Sequence, residues 1–221
     1  AGTELAERFV ADRRVALVSF TGSTAVGRRV GEIVAARLGR SLLELGGNNA
    51  VIIDDSADLA LAIPSIVFGA VGTAGQRCTT TRRVFVPRQR LADIERRLTA
   101  AYAQVRIGDP TDPATLMGPL IDAAAVARFE SAIAAAQSAG GALLCGGRRL
   151  DRPGHFVEPA IVRARNDWDI VQHETFAPIL YVIPCDDLED AIRMQNDVAH
   201  GLSSALFTDS IAAADPPAAS A

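Results

Sequence analysis

The sequence predicts an α/β fold with parallel strands, and three patterns predict it. Short apolar runs rich in β-branched residues alternate with longer stretches whose apolar residues recur at helical spacing. The connections between them are short and contain Gly, Asn, Asp or Pro. Strand, helix and strand in succession form a βαβ unit, whose two strands run parallel. The first such unit runs from Val15 to Leu45.

The individual elements follow from the same patterns, in chain order. Short apolar runs predict strands at 15–20, 41–45, 50–53, 83–86, 142–145, 159–162, 179–183 and 204–207. Helical spacing predicts helices at 25–38, 59–70, 91–103, 123–139 and 188–196. Gly39 and Gly140 follow two of these stretches and are typical helix ends. After Thr208 the chain has small residues, two prolines and almost no core formers, which predicts a disordered tail.

Composition and charge exclude several classes of protein. The 221 residues carry 22 Lys and Arg against 26 Asp and Glu, a net charge of −4. That balance predicts neither a nucleic-acid partner nor an anionic membrane. The longest apolar stretch is interrupted by Pro64 and Gly69 and is too short to span a bilayer. The first residues lack the charge and apolar pattern of a signal peptide, and they lack a starting Met.

The cysteines and histidines predict neither disulfides nor a metal site. There are three of each, and they are widely separated along the chain. An odd, sparse cysteine count indicates a reducing compartment, so we expect a cytoplasmic protein. No two cysteines lie at the spacing of metal ligands.

Cys78 is the candidate nucleophile. It lies in the polar segment 72–80, where glycines allow close backbone approach and Arg77 beside the sulfur favours the thiolate. The alternative is a buried structural cysteine. That interpretation fits Cys145 and Cys185, which lie in apolar, strand-like runs.

Glu44 is the candidate general base. It stands at the end of an apolar run, directly before Leu45 and the pair Gly46-Gly47. A carboxylate in apolar surroundings either pairs with a cation or becomes a proton acceptor suited to general base chemistry. The alternative is an edge-strand glutamate directed to solvent.

Two further segments contain residues suited to a dinucleotide. Gly22 and Ser23 lie at a strand-to-helix junction, where free N–H groups favour phosphate, although the segment is not a GxGxxG motif. Glu174 stands near Phe176 in a loop bounded by Pro178, where a carboxylate suits a ribose diol. The alternative for Gly22 and Ser23 is an ordinary α/β turn, and the alternative for Glu174 is a solvated turn.

In this order and spacing, four segments resemble the aldehyde dehydrogenase superfamily: 20–23, 44–47, 75–78 and 174–178. Glu44 and Cys78 are 78 − 44 = 34 residues apart, as in that family. The pair Asn48-Asn49, where the family more often continues with Lys, is similar to the antiquitin branch, the α-aminoadipic semialdehyde dehydrogenases of lysine breakdown. The resemblance extends to about Thr208.

The resemblance implies oxidation of an aldehyde, such as α-aminoadipic semialdehyde, to a carboxylic acid with NAD, with NADP left open. It implies that Cys78 captures the aldehyde as a thiohemiacetal that becomes a thioester, and that Glu44 activates the water that hydrolyses it. The cofactor would be held by Gly22, Ser23, Leu45, Glu174 and Phe176. Arg77 and Thr79 would line the substrate pocket, with Arg77 suited to a distal carboxylate.

The resemblance also implies the domain organisation. Residues 1–46 would end a Rossmann-like cofactor domain, 47–208 would form most of an α/β catalytic domain, and 209–221 would be an unassigned tail. The family's adenosine-binding lysine, oxyanion asparagine and oligomerisation strand are not in the sequence. We therefore expect an internal fragment of a soluble homo-oligomer, inactive by itself. A thioester hydrolase or acyl-transfer enzyme and a non-catalytic remnant are the two other functions that stay open.

Overall fold

The structure is a computed structural model that describes residues 2–214. The chain divides into two compact units, residues 1–46 and 47–221, here called the N-terminal and C-terminal units. Among residues 2–214, no helix combines the length and apolar character needed to cross a membrane.

The N-terminal unit is a βαβ unit preceded by a helix. Its elements are α1 (Gly2–Ala11), β1 (Leu17–Thr21), α2 (Thr24–Ala36) and β2 (Arg40–Glu44). β1 and β2 pair in parallel, from Leu17 opposite Arg40 to Thr21 opposite Glu44. The sequence pattern predicted this pairing, but it did not predict α1. Four valines, Val10, Val18, Val30 and Val34, form the core of the unit.

Helix α2 begins one residue before the predicted start at 25 and ends two residues before the predicted end at 38. The Ser23 hydroxyl accepts a hydrogen bond from the N–H of Val26 and caps the first turn. At the other end the left-handed residue is Leu38, with φ 57°, and not Gly39. The N–H of Gly39 still bonds the carbonyl of Val34, so one of the last carbonyls of the helix is satisfied.

The C-terminal unit surrounds one six-stranded sheet. Its elements are β3 (Ala50–Ile53), α3 (Leu59–Val71), β4 (Arg83–Pro87), α4 (Leu91–Tyr102), α5 (Ala123–Ser138), β5 (Ala142–Cys145), β6 (Ala160–Arg163), α6 (Asp169–Gln172), β7 (Ile179–Cys185), α7 (Leu188–Asn196), β8 (Ser204–Phe207) and α8 (Ile211–Ala214). The strand order is β5-β6-β7-β4-β3-β8, and every pair is parallel except β5 with β6. The α/β fold with parallel strands is therefore confirmed.

The core of this unit lies between the sheet and its helices. Every residue of β3 and β4 is buried, as expected for central strands of a parallel sheet covered on both faces. Phe129 from α5 and Ile66 from α3 are among the largest fully buried side chains. This continuous core gives the loops at the strand ends a rigid support.

The segment after Thr208 differs from the predicted disordered tail. Residues 211–214 form the short helix α8, while 215–221 lie outside the described residues. The Ser210 hydroxyl accepts a hydrogen bond from the N–H of Ala213. The N–H of Asp209 donates to the Ser56 hydroxyl, so the beginning of the tail is attached to the loop after β3.

Candidate active site

Four segments of the C-terminal unit meet at one edge of its sheet. They are residues 47–49, 72–82, 173–178 and 200–203, and each directly precedes one of the adjacent parallel strands β3, β4, β7 and β8. Because the amino ends of parallel strands share an edge, residues far apart in sequence become neighbours there. Cys78, Arg77, Thr79, Glu174 and Phe176 all belong to these segments.

The Cys78 loop starts with a strained turn after α3. Three consecutive residues, Thr73, Ala74 and Gly75, have φ values of 55°, 52° and 69°. A left-handed conformation is uncommon for any residue with a side chain, and for β-branched threonine it is an outlier. Such strain persists only where the surrounding structure imposes it, and it is concentrated at functional sites.

Gly75 brings the Cys78 loop against the Glu174 loop. A Cβ at this position would overlap the backbone of Ala177 and Pro178. Only glycine permits both this contact and the positive φ. The two sequence segments predicted to bind substrate and cofactor are therefore in direct backbone contact.

Gln76 attaches the other side of the turn to a distant loop. Its Nε2 donates to the carbonyl of Pro119 at 3.3 Å, and its Oε1 accepts the N–H of Ile121 at 2.9 Å. These two side-chain hydrogen bonds of Gln76 thus hold the segment that precedes Cys78 in place.

Cys78 is half-buried, and Asn49 holds its carbonyl. Asn49 Nδ2 donates to the carbonyls of Cys78 and Thr80, both at 2.7 Å. Its Oδ1 accepts from the N–H and the hydroxyl of Ser203, at 2.9 and 3.0 Å. These four hydrogen bonds fix the peptide that follows the cysteine.

The other two thiols lie in different surroundings. Burial raises the pKa of the Cys185 thiol to about 12, and burial also raises the pKa of the Cys145 thiol. Both are poor nucleophiles for that reason, since the thiolate is the reactive form. The sequence interpretation of these two cysteines as structural agrees with their positions in β7 and β5.

Arg82 joins three of the four segments. Its Nη2 lies 2.7 Å from Glu174 Oε1 and donates to the carbonyl of Arg77 at 3.1 Å, while its Nε donates to the carbonyl of Gly47 at 3.1 Å. The Arg82 side chain is 4% exposed and that of Glu174 is 23% exposed. Burial lowers the pKa of Arg82, and the Glu174 carboxylate acts in the opposite direction.

Of the remaining predicted residues of this unit, one lies beside that ion pair. Phe176, with φ 57°, is exposed and its ring lies 5.6 Å from the Arg82 guanidinium carbon. The Arg77 guanidinium lies over the ring of Phe68 at 5.4 Å. Thr79 is exposed.

The four predicted residues of the N-terminal unit lie near one another at the ends of its two strands. The N–H of Gly22 donates to the carbonyl of Glu44 at 3.0 Å. Ser23 is the cap of α2, and Leu45 packs against Gly27 in the first turns of that helix. The Glu44 side chain is exposed, so the apolar surroundings suggested by the sequence are wrong. Side chains alternate between the faces of a strand, and this one points to a solvated face.

An apolar cavity adjoins the capped end of α2. It has a volume of about 320 Å³ and lies within the N-terminal unit between α1, β1 and α2. Its apolar lining includes Phe20 from β1 and Val26, Val30 and Ile33 from α2. A helix N-terminus beside an apolar cavity offers one place for an anion and another for a planar apolar ring.

Sequence reasoning missed the residues that hold this site together, above all Asn49 and Arg82. The sequence patterns marked Asn49 only as part of a departure from the commoner family motif, and they did not mark Arg82 at all. A run of polar residues from Thr80 to Arg82, directly before a fully buried strand, was the available indication. Polar side chains at such a position are buried and need partners.

Comparison with known sequences identifies relatives over almost the whole chain. A sequence model described as the aldehyde dehydrogenase family matches residues 1–220. Alpha-aminoadipic semialdehyde dehydrogenase of Mus musculus is 49% identical over 208 residues, which is 94% of this chain and 39% of that protein. Aldehyde dehydrogenase family 7 member A1 of Pisum sativum is 48% identical, over 94% of this chain and 41% of its own length.

Solved structures give the same result. An aldehyde dehydrogenase of Mycobacterium tuberculosis complexed with NAD+ superposes with a TM-score of 0.92 at 38% identity, covering 96% of this chain and 44% of that one. Betaine aldehyde dehydrogenase from Staphylococcus aureus in complex with NAD+ gives 0.93 at 32% identity, covering 97% and 44%. The chain spans about two fifths of the length of the curated relatives it matches. The family match also extends past Thr208, where the predicted resemblance stopped.

Proposed function

Because this chain belongs to the aldehyde dehydrogenase family, we propose that its protein oxidises an aldehyde to a carboxylic acid with NAD. The relationship to the mouse enzyme favours a semialdehyde such as α-aminoadipic semialdehyde as the substrate. The observation that carries the proposal is the Cys78 loop: a strained turn whose cysteine is half-buried, with the peptides on both sides held by Asn49 and Arg82. Such a loop fits a nucleophile better than an inert core thiol.

The N-terminal unit has features that fit a dinucleotide. The cavity of about 320 Å³ is apolar and suits an adenine ring, and it adjoins the amino end of α2 at Ser23, which suits a phosphate. We propose that Gly22, Ser23 and Leu45 hold the cofactor in this unit, and that Glu174 and Phe176 contact the nicotinamide ribose. When bound, NAD supplies the hydride acceptor for the oxidation.

The chemistry of this chain starts with covalent capture of the aldehyde. The Cys78 thiolate forms a bond to the aldehyde carbon, and the carbonyl oxygen becomes the oxyanion of a thiohemiacetal. The N–H of Cys78 is the donor we propose for that oxyanion. Once the carbon has lost its hydride it is the acyl carbon of a thioester, and water then displaces the thiolate. We propose Glu44 as the base that takes the proton from this water.

Arg77 is the residue we propose for recognition of a distal carboxylate. Its guanidinium lies over the Phe68 ring, and a cation next to the nucleophile suits an anionic group at the far end of the substrate. Thr79, exposed on the other side of Cys78, would line the same substrate pocket.

The test is replacement of Cys78 by alanine in the complete protein to which these residues belong. We expect acid formation and NADH absorbance to fall to background while NAD binding, measured by calorimetry, stays unchanged. Substantial dehydrogenase activity in this variant would refute the nucleophile. Acid release from a thioester without NADH would indicate a hydrolase, and no thermal shift with NAD would indicate a non-catalytic remnant.

A labelling experiment provides an independent check of the nucleophile. Iodoacetamide should modify Cys78 faster than Cys145 or Cys185, because burial raises the pKa of the latter two thiols. Mass spectrometry of the digested protein gives the three rates from one sample. Equal rates at all three positions would contradict the assignment.

A further inference from the structure

Arg82 is a buried cation that the proposed reaction does not use. Two arginines, Arg82 and Arg83, stand side by side at the start of β4, and both are almost fully buried. Burying a guanidinium is costly unless hydrogen bonds and an opposite charge compensate it. Arg82 has both, and all of its partners belong to the segments that form the candidate site.

One partner determines the direction of the Cys78 N–H. The carbonyl of Arg77 accepts hydrogen bonds from Arg82 Nη2 at 3.1 Å and from the N–H of Thr80 at 3.0 Å. That carbonyl and the Cys78 N–H belong to the same peptide, which is trans. In a trans peptide the two groups point in opposite directions, so holding the carbonyl aims the N–H.

The second partner is the carboxylate of Glu174. Arg82 Nη2 and the N–H of Gly47 both approach Oε1, at 2.7 and 3.5 Å. These contacts leave Oε2 for another donor. The Arg82 guanidinium also lies 5.6 Å from the ring of Phe176, the other residue proposed for the ribose.

We propose that Arg82 is a positioning residue for both halves of the site, aiming the Cys78 N–H at the oxyanion and one oxygen of Glu174 at the cofactor ribose. The Glu174 half of this inference rests on the proposed function, which assigns that carboxylate to the ribose. A lysine is a poor replacement, because a single ammonium cannot reach the carbonyls of Arg77 and Gly47 and the carboxylate with the planar fork of a guanidinium.

Arg83 provides a matched control. It is the next residue, equally buried, and its guanidinium bonds the carbonyl of Asn48, the side chain of Asn166 and the carbonyls of Met194 and Gln195. None of these groups belongs to Cys78 or Glu174. Substitution of Arg83 therefore removes comparable hydrogen bonds from the same strand end without releasing either half of the site.

The experiment measures NAD affinity by calorimetry in the complete protein, together with thermal unfolding. We expect Arg82→Met to raise the Kd for NAD by about 10-fold or more, the usual effect of losing hydrogen bonds to a charged group. Glu174→Gln should act similarly, and the double variant should be no more than about threefold weaker than the weaker single one, because the two residues act as a unit. Arg83→Met should lower the unfolding temperature while changing the Kd by less than about threefold.

Hydrogen exchange tests the loop without cofactor. The peptide covering residues 76–80 should exchange faster in Arg82→Met and in Arg82→Lys, but not in Arg83→Met. Arg82→Lys keeps the charge beside Glu174, so it should retain more NAD affinity than Arg82→Met. It also replaces Arg82→Met as the test variant if the methionine variant does not fold.

Three results would each overturn the inference. The first is an equal loss of NAD affinity in the Arg82 and Arg83 variants. The second is a double variant in which the separate effects of Arg82→Met and Glu174→Gln on NAD affinity multiply in full. The third is unchanged exchange at residues 76–80 in both Arg82 variants. If the unsubstituted protein binds no NAD, the proposed cofactor is wrong, and the proposed role of Arg82 in positioning Glu174 is wrong as well. The exchange result still tests whether Arg82 holds the Cys78 loop.

Discussion

The two units of the chain bury their apolar residues to very different extents. The N-terminal unit has a core of four valines and exposes large apolar side chains on both helices and both strands, namely Leu5, Phe9, Leu17, Val26 and Leu42. The C-terminal unit has a continuous core in which every residue of β3 and β4 is buried. A small core supplies little stability, since burial increases with the size of the domain.

The difference in core size between the two units matches the different roles proposed for them. Covalent chemistry requires a nucleophile held in one geometry, and the candidate Cys78 lies in the unit with the rigid core. The strain at Thr73 and Ala74 is tolerated there, because the surrounding packing imposes it. The N-terminal unit offers a cavity and a helix end, which suit binding of a ligand more than bond-making.

Glu44→Gln tests whether the N-terminal unit takes part in the chemistry as well. The substitution keeps the shape of the side chain and removes the proton acceptor, so deacylation should slow by about 10²- to 10⁴-fold. Rapid-quench analysis should show the acyl-enzyme on Cys78 accumulating. Normal turnover without accumulation would make Glu44 a structural residue and limit this unit to binding.

Core substitutions test the difference in stability directly. Phe129→Ala in the C-terminal unit should lower the free energy of unfolding by about 3–5 kcal/mol, and Val34→Ala in the N-terminal unit by only about 1–2 kcal/mol, because fewer methylene groups are lost. Hydrogen exchange should show each effect confined to its own unit. Parallel changes in both units after either substitution would mean that they unfold together, and the comparison would not hold.

Arg77→Ala tests substrate selection within the C-terminal unit. Loss of a charge-assisted hydrogen bond should raise the KM for α-aminoadipic semialdehyde by about 10- to 100-fold. The KM for hexanal, which has no carboxylate, should rise by less than about threefold. Steady-state kinetics with both substrates gives the comparison. An equal effect on both would assign Arg77 to packing over Phe68, where the guanidinium lies in the structure.

Most of the secondary structure could be predicted from local pattern. β3, β5, α7 and β8 begin and end at the predicted residues, because apolar runs and helical spacing are strong where an element packs on a core. Helix α1 was missed, although its sequence is rich in helix-forming Ala, Glu and Leu. The single turns α6 and α8 were missed because four residues are too few to show a period.

The sequence by itself determined the fold class, the order of the strands and the candidates Cys78, Glu44, Gly22, Ser23 and Glu174, since residue type and spacing are local properties. Only the tertiary structure decided that Glu44 is exposed and that Arg82 pairs with a carboxylate 92 positions away. It also decided the left-handed backbone at Thr73 and Ala74, residues that no propensity assigns to that region. The physical reason is that burial, pairing and strain depend on which segments meet at the amino ends of neighbouring strands, and that is a property of the assembled sheet.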